Sequence, residues 1–561
     1  MSQLLANAVL HHESGRLEEA GLIYRRILQS EPRNADALHL YGLLAHQSGD
    51  AARAVERISK AVTLNPRSAL YRFNLGLVLA AGGELEAAAA AYRRAIELRS
   101  DFADAHSNLG LVLEEQGQTD AAAACFEEAM RHEPNHVEAI VNLGRTRHLQ
   151  RRPTDARACF ETALRLDPRL AEAHFCIGKL HGDEGAWDRA IESYRRALAL
   201  KPDLYEAKNN LATAFLALGN YDEAQAAFHE VMKARHGAVR ETPEALAGGT
   251  GRGGGKSAGE GFIWRDKLAD RTEQLEYLLA KWLVDPSFED LAAHCRSLLN
   301  LPLAGTGPKG AVALPRDQAA AIEGLCDSVL SWVNAPPVAG AAVNHGLAFR
   351  EIEDEYLSSP TNAVYFDDFL TPEALAALRR FCHESTIFFG RDPAGYLSSY
   401  LRDGFNCDLL YQIARELKQR LPRVIGDHHL SNMWAYRHKA RGKGVVAHTD
   451  FAAVTFNFWI TPDSANLDAD SGGMVVYRRE EPLDWNWMDT NKNKNTPRVK
   501  RRIEDFLASA ETLTIPYREN RAVLFHSNLF HTSDDINFKS GFENRRTNVS
   551  MLFGNRSAQT V

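Results

Sequence analysis

A histidine and an aspartate stand two positions apart in the sequence VVAHTDFAAVTFNFW, at His448 and Asp450. In a β-strand, residues i and i+2 point to the same side of the sheet. An imidazole and a carboxylate placed in this way could act together as ligands of a metal ion. The pair is a weak signal alone, because the chain contains 21 histidines and 73 acidic residues. Its weight therefore depends on the segments that follow it.

Three later segments add further features in a fixed order. A glycine pair at 472–473 leads into an apolar, strand-like segment. Residues 520–531 are typical of a strand that runs into a turn, and they carry a second histidine, His531. A last strand-like segment places Arg546 and Ser550 on one face. Together the four segments are far more specific than any one of them.

The order H-x-D, G-G, F-x-S-x-x-x-H and R-x-x-x-S resembles that of the iron(II)- and 2-oxoglutarate-dependent oxygenases, nearest to the prolyl-4-hydroxylase-like branch. The resemblance covers residues 345–561 and implies an α+β domain built on a double-stranded β-helix, or jelly-roll. It implies that His448, Asp450 and His531 bind iron(II). Such a set occupies one face of an octahedral iron and leaves three positions open for cosubstrate and O2. Halogenating members of the superfamily have a small residue in place of the carboxylate, so Asp450 indicates hydroxylation.

The same resemblance assigns residues to 2-oxoglutarate. Arg546 matches the basic residue that pairs with the distal carboxylate of the cosubstrate, and its planar guanidinium suits a carboxylate. Ser550 matches the hydroxyl partner often found on that strand. Tyr436 lies near the position of a cosubstrate-binding tyrosine, and it is equally well explained as a core aromatic residue.

Two neighbouring residues compete with these assignments. His526 could replace His531, although His531 falls at the histidine position of the pattern. Arg545 could replace Arg546, although on a strand it would face away from Ser550.

Short strands and a helix must position these side chains. The helix is predicted to start at Thr371, a capping hydroxyl that is followed by proline. Strands with polar turns between them are predicted at 364–366, 431–438, 445–460, 473–478, 512–516, 521–526 and 545–553.

The first 238 residues repeat with a period of 34, without insertion or deletion. Position eight is usually glycine, position twenty is alanine, position twenty-four is bulky, and the unit usually ends in proline. Small residues let two antiparallel helices approach closely, and the bulky side chain is expected to fill the gap between units. The pattern resembles seven tetratricopeptide repeats, which form an all-α superhelix with a concave binding face.

The repeat array predicts a protein or peptide partner. Position six carries asparagine in four units, at Asn74, Asn108, Asn142 and Asn210. The resemblance to the O-GlcNAc transferase array suggests that this position lines the concave face, where an asparagine ladder can bond an extended peptide backbone. Asparagine is also common at this position in the general repeat, so a ladder and a structural role both stay open.

Two segments join the halves of the chain. Residues 239–261 are predicted to be a glycine-rich linker. Residues 262–344 are predicted to be a helical bridge, because apolar residues recur in steps of three and four from Leu268 to Leu283.

An insertion at 492–502 carries six cations and no acid. It is either a solvated loop and helix or a clamp for an acidic substrate above the site. Trp485 and Trp487, just before it, could form the lid of such a clamp or serve as packing residues.

Composition narrows the function classes. A chain of 561 residues needs at least two domains. Its net charge of −8 gives no reason to expect nucleic acid as a partner, and no stretch reaches the ~20 apolar residues that span a membrane. The seven cysteines contain no C-x-x-C pair, which favours reduced thiols and a cytoplasmic location.

The sequence therefore predicts an enzyme, a dioxygenase that uses iron(II), 2-oxoglutarate and O2 to hydroxylate a side chain of a protein or peptide held by the array. One alternative is an oxygenase for a small metabolite, with the repeats as a tether. Another is an interaction scaffold whose barrel has lost activity.

Overall fold

The computed structural model describes residues 2–247, 262–301, 310–314, 319–360, 362–392, 395–482, 485, 494 and 496–555. Most of the predicted glycine-rich linker and Trp487 lie outside these residues. The chain divides into two compact units, Met1–Pro202 and Asp203–Val561.

The N-terminal repeats fold as seven pairs of antiparallel helices, as predicted. Six pairs lie in the first unit and the seventh lies in the second. The pairs are α1 Ser2–Glu13 and α2 Leu17–Ser30; α3 Ala35–Gln47 and α4 Ala51–Leu64; α5 Ala69–Ala81 and α6 Leu85–Leu98; α7 Ala103–Glu115 and α8 Thr119–His132; α9 Val137–Leu149 and α10 Pro153–Leu166; α11 Ala171–Asp183 and α12 Trp187–Leu200; and α13 Tyr205–Ala217 and α14 Tyr221–His236.

The repeated small residues mark the contact between the two helices of a pair. Each position-twenty alanine from Ala20 to Ala224 has no exposed surface. A Cβ added at Gly110 would lie 2.7 Å from the ring of Phe126, and one added at Gly144 would lie 2.6 Å from the ring of Phe160. The bulky residue thus packs against the glycine of its own unit, so the expectation that it fills the gap between units was incomplete.

This packing predicts opposite effects for two Gly→Ala changes. Gly110→Ala should destabilise the first unit by about 1–3 kcal/mol, because the methyl group must displace the Phe126 ring. Gly21→Ala is the matched control, since its Cβ would meet only ordinary contacts at 3.8 and 3.9 Å and alanine favours a helix by up to ~1 kcal/mol. Urea unfolding followed by circular dichroism measures both, and equal shifts of the two midpoints would contradict the packing argument.

The second unit contains two main antiparallel sheets, which agrees with the prediction of a β-rich C-terminal region. A seven-stranded sheet has the order β3-β11-β8-β14-β6-β5-β4, and a three-stranded sheet has the order β10-β9-β12. Two-stranded ribbons join β1 to β2 and β7 to β13. The strands are β1 Phe262–Trp264, β2 Ala311–Ala313, β3 Ala363–Phe366, β4 Gly390–Asp392, β5 Tyr396–Tyr400, β6 Leu430–His438, β7 Arg441–Lys443, β8 Val454–Trp459, β9 Met474–Glu480, β10 Thr512–Ile515, β11 Ala522–His526, β12 Leu529–Ser533, β13 Asp535–Asn537 and β14 Thr547–Phe553.

The core of this region lies between the two main sheets. Trp459 and Phe525 come from the larger sheet, Val476 and Ile515 from the smaller one, and all four belong to one buried cluster. Helices accompany the sheets: α15 Pro243–Ala247, α16 Arg265–Ala280, α17 Glu289–Asn300, α18 Ala319–Asp327, α19 Phe349–Ser358, α20 Pro372–Glu384, α21 Asp408–Arg420 and α22 Pro497–Leu507.

Several predicted elements agree with the structure and others need correction. The predicted helical bridge at 262–344 contains the paired strands β1 and β2 besides its helices. Thr371 caps α20 by accepting a hydrogen bond from the backbone N–H of Ala374. The strand predicted at 445–460 is a strand only over Val454–Trp459. The helix predicted to continue to Leu283 ends at Ala280, because Trp282 has a φ of 57° and is 82% exposed.

Helix α16 packs against the sheets through buried charge. Asp270 is fully buried and pairs with Arg437 at 3.3 Å and with Arg545 at 3.0 Å. The amide of Gln274 donates to the carbonyl oxygens of His383 and Ser385. This part of the predicted helical bridge therefore packs directly on the β-rich region.

The seven cysteines are free thiols. Within the described part of the chain, no helix is long and apolar enough to cross a membrane.

Candidate functional site

His448 and His531 are brought together by an isolated antiparallel bridge between their segments. The backbone N–H of His448 donates to the oxygen of His531 at 3.1 Å, and the return bond is 2.9 Å. Their rings lie 4.3 Å apart, centre to centre. The hydroxyl of Thr449 donates to the carboxylate of Glu481 at 2.9 Å, whereas the carboxylate of Asp450 lies next to the two imidazoles. The predicted i, i+2 geometry therefore holds, although this segment forms a single bridge and not a regular strand.

Hydrogen bonds to backbone carbonyls orient the two imidazoles toward Asp450. Nδ1–H of His448 donates to the carbonyl of Val446 at 2.9 Å, and Nδ1–H of His531 donates to that of Leu529 at 3.2 Å. This leaves each Nε2 facing Asp450, at 3.9 Å and 3.6 Å from its carboxylate oxygens.

Burial lowers the pKa of both histidines, so the neutral imidazoles keep the lone pair that a metal needs. The hydroxyl of Thr455 donates to Asp450 Oδ2 at 2.8 Å. One ligand atom from each of His448, Asp450 and His531 lies within 4.8 Å of the others.

Arg546 lines the same cavity as this cluster. Its Nε donates to the oxygen of Gly472 at 2.5 Å, its Nη2 to that of Gly473 at 3.0 Å, and its Nη1 to Asn548 Oδ1 at 3.3 Å. The side chain is 1% exposed, and burial lowers its pKa to about 10. No described carboxylate lies within ion-pair distance of it, so a buried positive charge faces the cavity.

Arg545 forms ion pairs outside the cavity. Its guanidinium pairs with Asp270 at 3.0 Å and with Glu273 at 2.7 Å, both on α16. His526 is also outside the cluster, 3.7 Å from Glu480 and partly exposed. The structure thus brings together the residues that the sequence pattern favoured and leaves out both of their competitors.

Tyr436 and Ser550 line the cavity as well. Ser550 lies opposite Trp434 on one neighbouring strand and opposite Asn457 on the other. The hydroxyl of Tyr436 is 3.5 Å from that of Tyr400, and burial raises its pKa well above the usual value. The cavity is narrow, with a volume of about 20 Å³.

Sequence reasoning did not single out Asn457, a polar residue that lines this cavity. Asn457 is 6% exposed, and its Oδ1 has no hydrogen-bond partner among the described residues. A buried, unsatisfied amide oxygen is costly, which suggests a ligand or a water there. The signal was present in the sequence, because Asn457 interrupts the otherwise apolar end of the strand VTFNFW.

The asparagines at position six all lie in the first helix of their pairs. Asn74 bonds to His39 Nε2 at 2.7 Å, Asn108 to the oxygen of Asp104 at 2.9 Å, and Asn142 to Arg145 at 3.3 Å. These three lie in the first unit, whereas Asn210 lies on α13 in the second. Their role in binding stays a prediction.

The basic insertion contributes helix α22 and Lys494 to the described structure. Trp485 packs against Phe506 with ring centres 5.1 Å apart, and Arg502 stacks on it at 3.8 Å. Lys494 lines a second cavity of about 320 Å³, which shares two lining residues with the first: Val445 and Ser533.

Comparison with known families identifies the N-terminal half. Tetratricopeptide repeat models match residues 76–117, 107–171, 150–205 and 183–240. Tetratricopeptide repeats are therefore present, and such repeats typically bind peptides or proteins.

The chain is similar to several solved structures over about a third of its length. One is MamA, with 27% identity over 29% of this chain and 96% of that chain, at a TM-score of 0.28. PilF of Pseudomonas aeruginosa has 23% identity over 36% of this chain and 90% of that one, at a TM-score of 0.33. YrrB, described as a TPR protein with an unusual peptide-binding site, has 20% identity over 33% and 95%, at a TM-score of 0.28. No curated protein matches the chain significantly.

Proposed function

We propose that this protein is an iron(II)- and 2-oxoglutarate-dependent dioxygenase that hydroxylates a side chain of a protein or peptide recruited by the tetratricopeptide array. The observation that carries the proposal is the meeting of two imidazoles and one carboxylate within 4.8 Å, in a cavity that also holds a buried arginine. We further propose that the two main sheets form the jelly-roll of that enzyme class.

The donor set fits iron(II). His448 and His531 each use Nδ1–H on a backbone carbonyl, which fixes the tautomer and directs Nε2 to the metal position. Asp450 completes a facial set of two histidines and one carboxylate, which suits an iron that must keep open positions. Thr455 would hold the carboxylate oxygen that does not bind the metal.

Arg546 fits the distal carboxylate of 2-oxoglutarate. Its planar guanidinium is buried without a carboxylate partner in the described structure, so an anion in the cavity would neutralise it. Ser550 and Asn457 would offer further hydrogen bonds nearby. Because the cavity is narrow, entry of this five-carbon acid requires side chains to move apart, as is common on binding.

When bound, iron and 2-oxoglutarate would supply the oxidising chemistry, in which O2 converts a substrate C–H to C–OH while the cosubstrate becomes succinate and carbon dioxide. The chain itself positions the reactants. His448, Asp450 and His531 would hold the metal on one side, Arg546 would fix the orientation of the cosubstrate, and rings such as Trp434 would exclude water from the site.

The proposal is tested by anaerobic purification with iron(II), followed by incubation of a native lysate with 2-oxoglutarate and O2. We expect succinate together with proteins or peptides heavier by one oxygen atom, both dependent on 2-oxoglutarate. Oxygenated small molecules in place of peptides would favour the metabolite alternative. Absence of iron binding and of succinate would leave the protein as an interaction scaffold.

Arg546→Lys is expected to raise the KM for 2-oxoglutarate with little effect on iron affinity, because lysine keeps the charge but loses the bidentate pairing. Arg545→Lys is the matched control, since Arg545 pairs with Asp270 and Glu273 and not with the cavity. Steady-state kinetics and equilibrium dialysis of iron measure both quantities. A raised KM in the Arg545 variant alone would shift the role to that residue.

Replacement of Asn74, Asn108 and Asn142 together by alanine tests the proposed ladder. Each lost hydrogen bond to a peptide backbone should cost on the order of 1 kcal/mol, so affinity for the hydroxylated protein should fall well over tenfold. Because Asn74 and Asn142 are buried and bonded within the array, thermal unfolding must show that the array remains folded. Unchanged affinity in a folded variant would reduce these asparagines to structural residues.

A further inference from the structure

We propose that the seventh tetratricopeptide repeat forms one wall of a peptide-binding cleft that adjoins the cavity of the candidate metal centre. This inference rests on the proposed function and deepens it, because it names the cleft that would hold the peptide and the side from which the peptide approaches. The cleft lies inside the second unit and has a volume of about 330 Å³. That is at the lower end of the ~300–1,000 Å³ usual for ligand sites.

The seventh repeat is an integral part of this unit. The backbone N–H of Leu430 donates to the hydroxyl of Tyr221 on α14, and Asn406 donates to the carbonyl of Gln225. His236 stacks on Phe389 with ring centres 3.7 Å apart. These contacts fix α14 against the β-rich region, and α13 packs on β6. Residues of the repeat therefore have a set position relative to the candidate metal centre.

One side of the cleft comes from the repeat. Asn209 and Thr213 on α13, with Phe228 on α14, line it. Thr213 lies three residues after Asn210, which occupies position six of the repeat, the position expected on a concave binding face. The side-chain amide of Asn209 is half-buried and forms no hydrogen bond with any described residue, so it can bond to a ligand.

The other side comes from the β-rich region. Ser431 and Asn432 at the start of β6, and the exposed Arg402, supply hydroxyl, amide and guanidinium groups. Tyr400 and Phe451 supply aromatic surface. Amides facing each other across a partly aromatic cleft suit a peptide, whose backbone needs both donors and acceptors and whose side chains need apolar contact.

Four aromatic rings separate the cleft from the metal cavity: Tyr400, Trp434, Tyr436 and Phe451. The first and last of these line the cleft, whereas Trp434 and Tyr436 line the cavity. The hydroxyls of Tyr400 and Tyr436 are 3.5 Å apart, and the rings of Trp434 and Phe451 are 6.2 Å apart. Phe451 directly follows the candidate ligand Asp450. Two layers of rings, one lining the cleft and one lining the cavity, would therefore lie between a peptide in the cleft and the reacting centre.

The test uses the full chain and a synthetic library of random dodecapeptides, with retained peptides identified by mass spectrometry. Thr213→Trp should fill the cleft and reduce retention of a subset of peptides at least about tenfold. Asn209→Ala should weaken the same subset, and Asn209→Gln should restore part of it. Lys443→Trp is the control, because Lys443 is exposed and lines the second cavity instead.

The outcomes separate this inference from the proposed function. Iron(II) and 2-oxoglutarate binding are measured independently by equilibrium dialysis, so failure of the enzyme proposal does not affect the retention measurement. The inference is overturned if no peptide is lost from the Thr213→Trp variant. It is also overturned if Lys443→Trp removes the peptides and Thr213→Trp does not, since the substrate would then approach through the lysine-lined cavity.

Discussion

Replacement of His448, Asp450 or His531 by alanine is expected to abolish succinate formation and to reduce bound iron to background. Each of these residues supplies one of the three ligand atoms that lie within 4.8 Å of one another. Loss of a mere hydrogen-bond partner of a metal ligand costs about 10–100-fold in metal affinity or activity, so loss of a ligand should cost more. Iron content after anaerobic dialysis and 2-oxoglutarate turnover measure the two effects separately.

His526→Ala is the matched control for this series. His526 is five residues from His531 and was its competitor in the sequence, but its Nδ1 lies 3.7 Å from Glu480, outside the cluster. We expect the His526 variant to keep its iron. If it loses iron while His531→Ala remains active, the assignment of the second histidine is wrong.

Local patterns in the sequence predicted the repeats, and they singled out the three side chains that meet in the structure, because both features depend on short-range geometry. Metal binding by these side chains stays a prediction. The 34-residue period fixes where each helix pair begins and ends. The i, i+2 spacing of His448 and Asp450 needs only an extended backbone, so it held although the predicted strand at 445–460 was wrong over its first part. The alternation between Arg545 and Arg546 likewise agrees with the structure, in which Arg546 lines the cavity and Arg545 pairs with Glu273.

Long-range pairing could not be predicted in the same way. Arg545 pairs with the carboxylates of Asp270 and Glu273. Both lie more than 270 positions before it in the sequence, and no local pattern links them to it. The 34-residue period of the repeats also gave no reason to expect that the seventh repeat packs differently from the other six. The contacts of α14 with residues such as Phe389, Asp403 and Leu430 show that this repeat folds with the β-rich unit.

A chain that begins at residue 262 is therefore expected to misfold, whereas one that begins at residue 203 should fold. The shorter chain lacks Tyr221, Met232 and His236, which are 4%, 2% and 0% exposed in the second unit. It would expose their partners, Tyr411 and Phe389 among them. Burial of a large apolar side chain contributes about 1.5–3 kcal/mol, so several such losses approach the whole stability of a typical domain, ~5–15 kcal/mol.

Charge adds to this cost. Asp403 is 3% exposed and is paired with Arg235 at 3.1 Å and with His236 at 3.2 Å, and the shorter chain removes both partners. A buried carboxylate without a partner destabilises a fold by about 3–5 kcal/mol. Size-exclusion chromatography and thermal unfolding of the two chains test the expectation. A cooperative transition at the same temperature in both would mean that α13 and α14 contribute nothing to the fold of the β-rich region. The domain boundary would then lie in the linker at 239–261, as the sequence predicted.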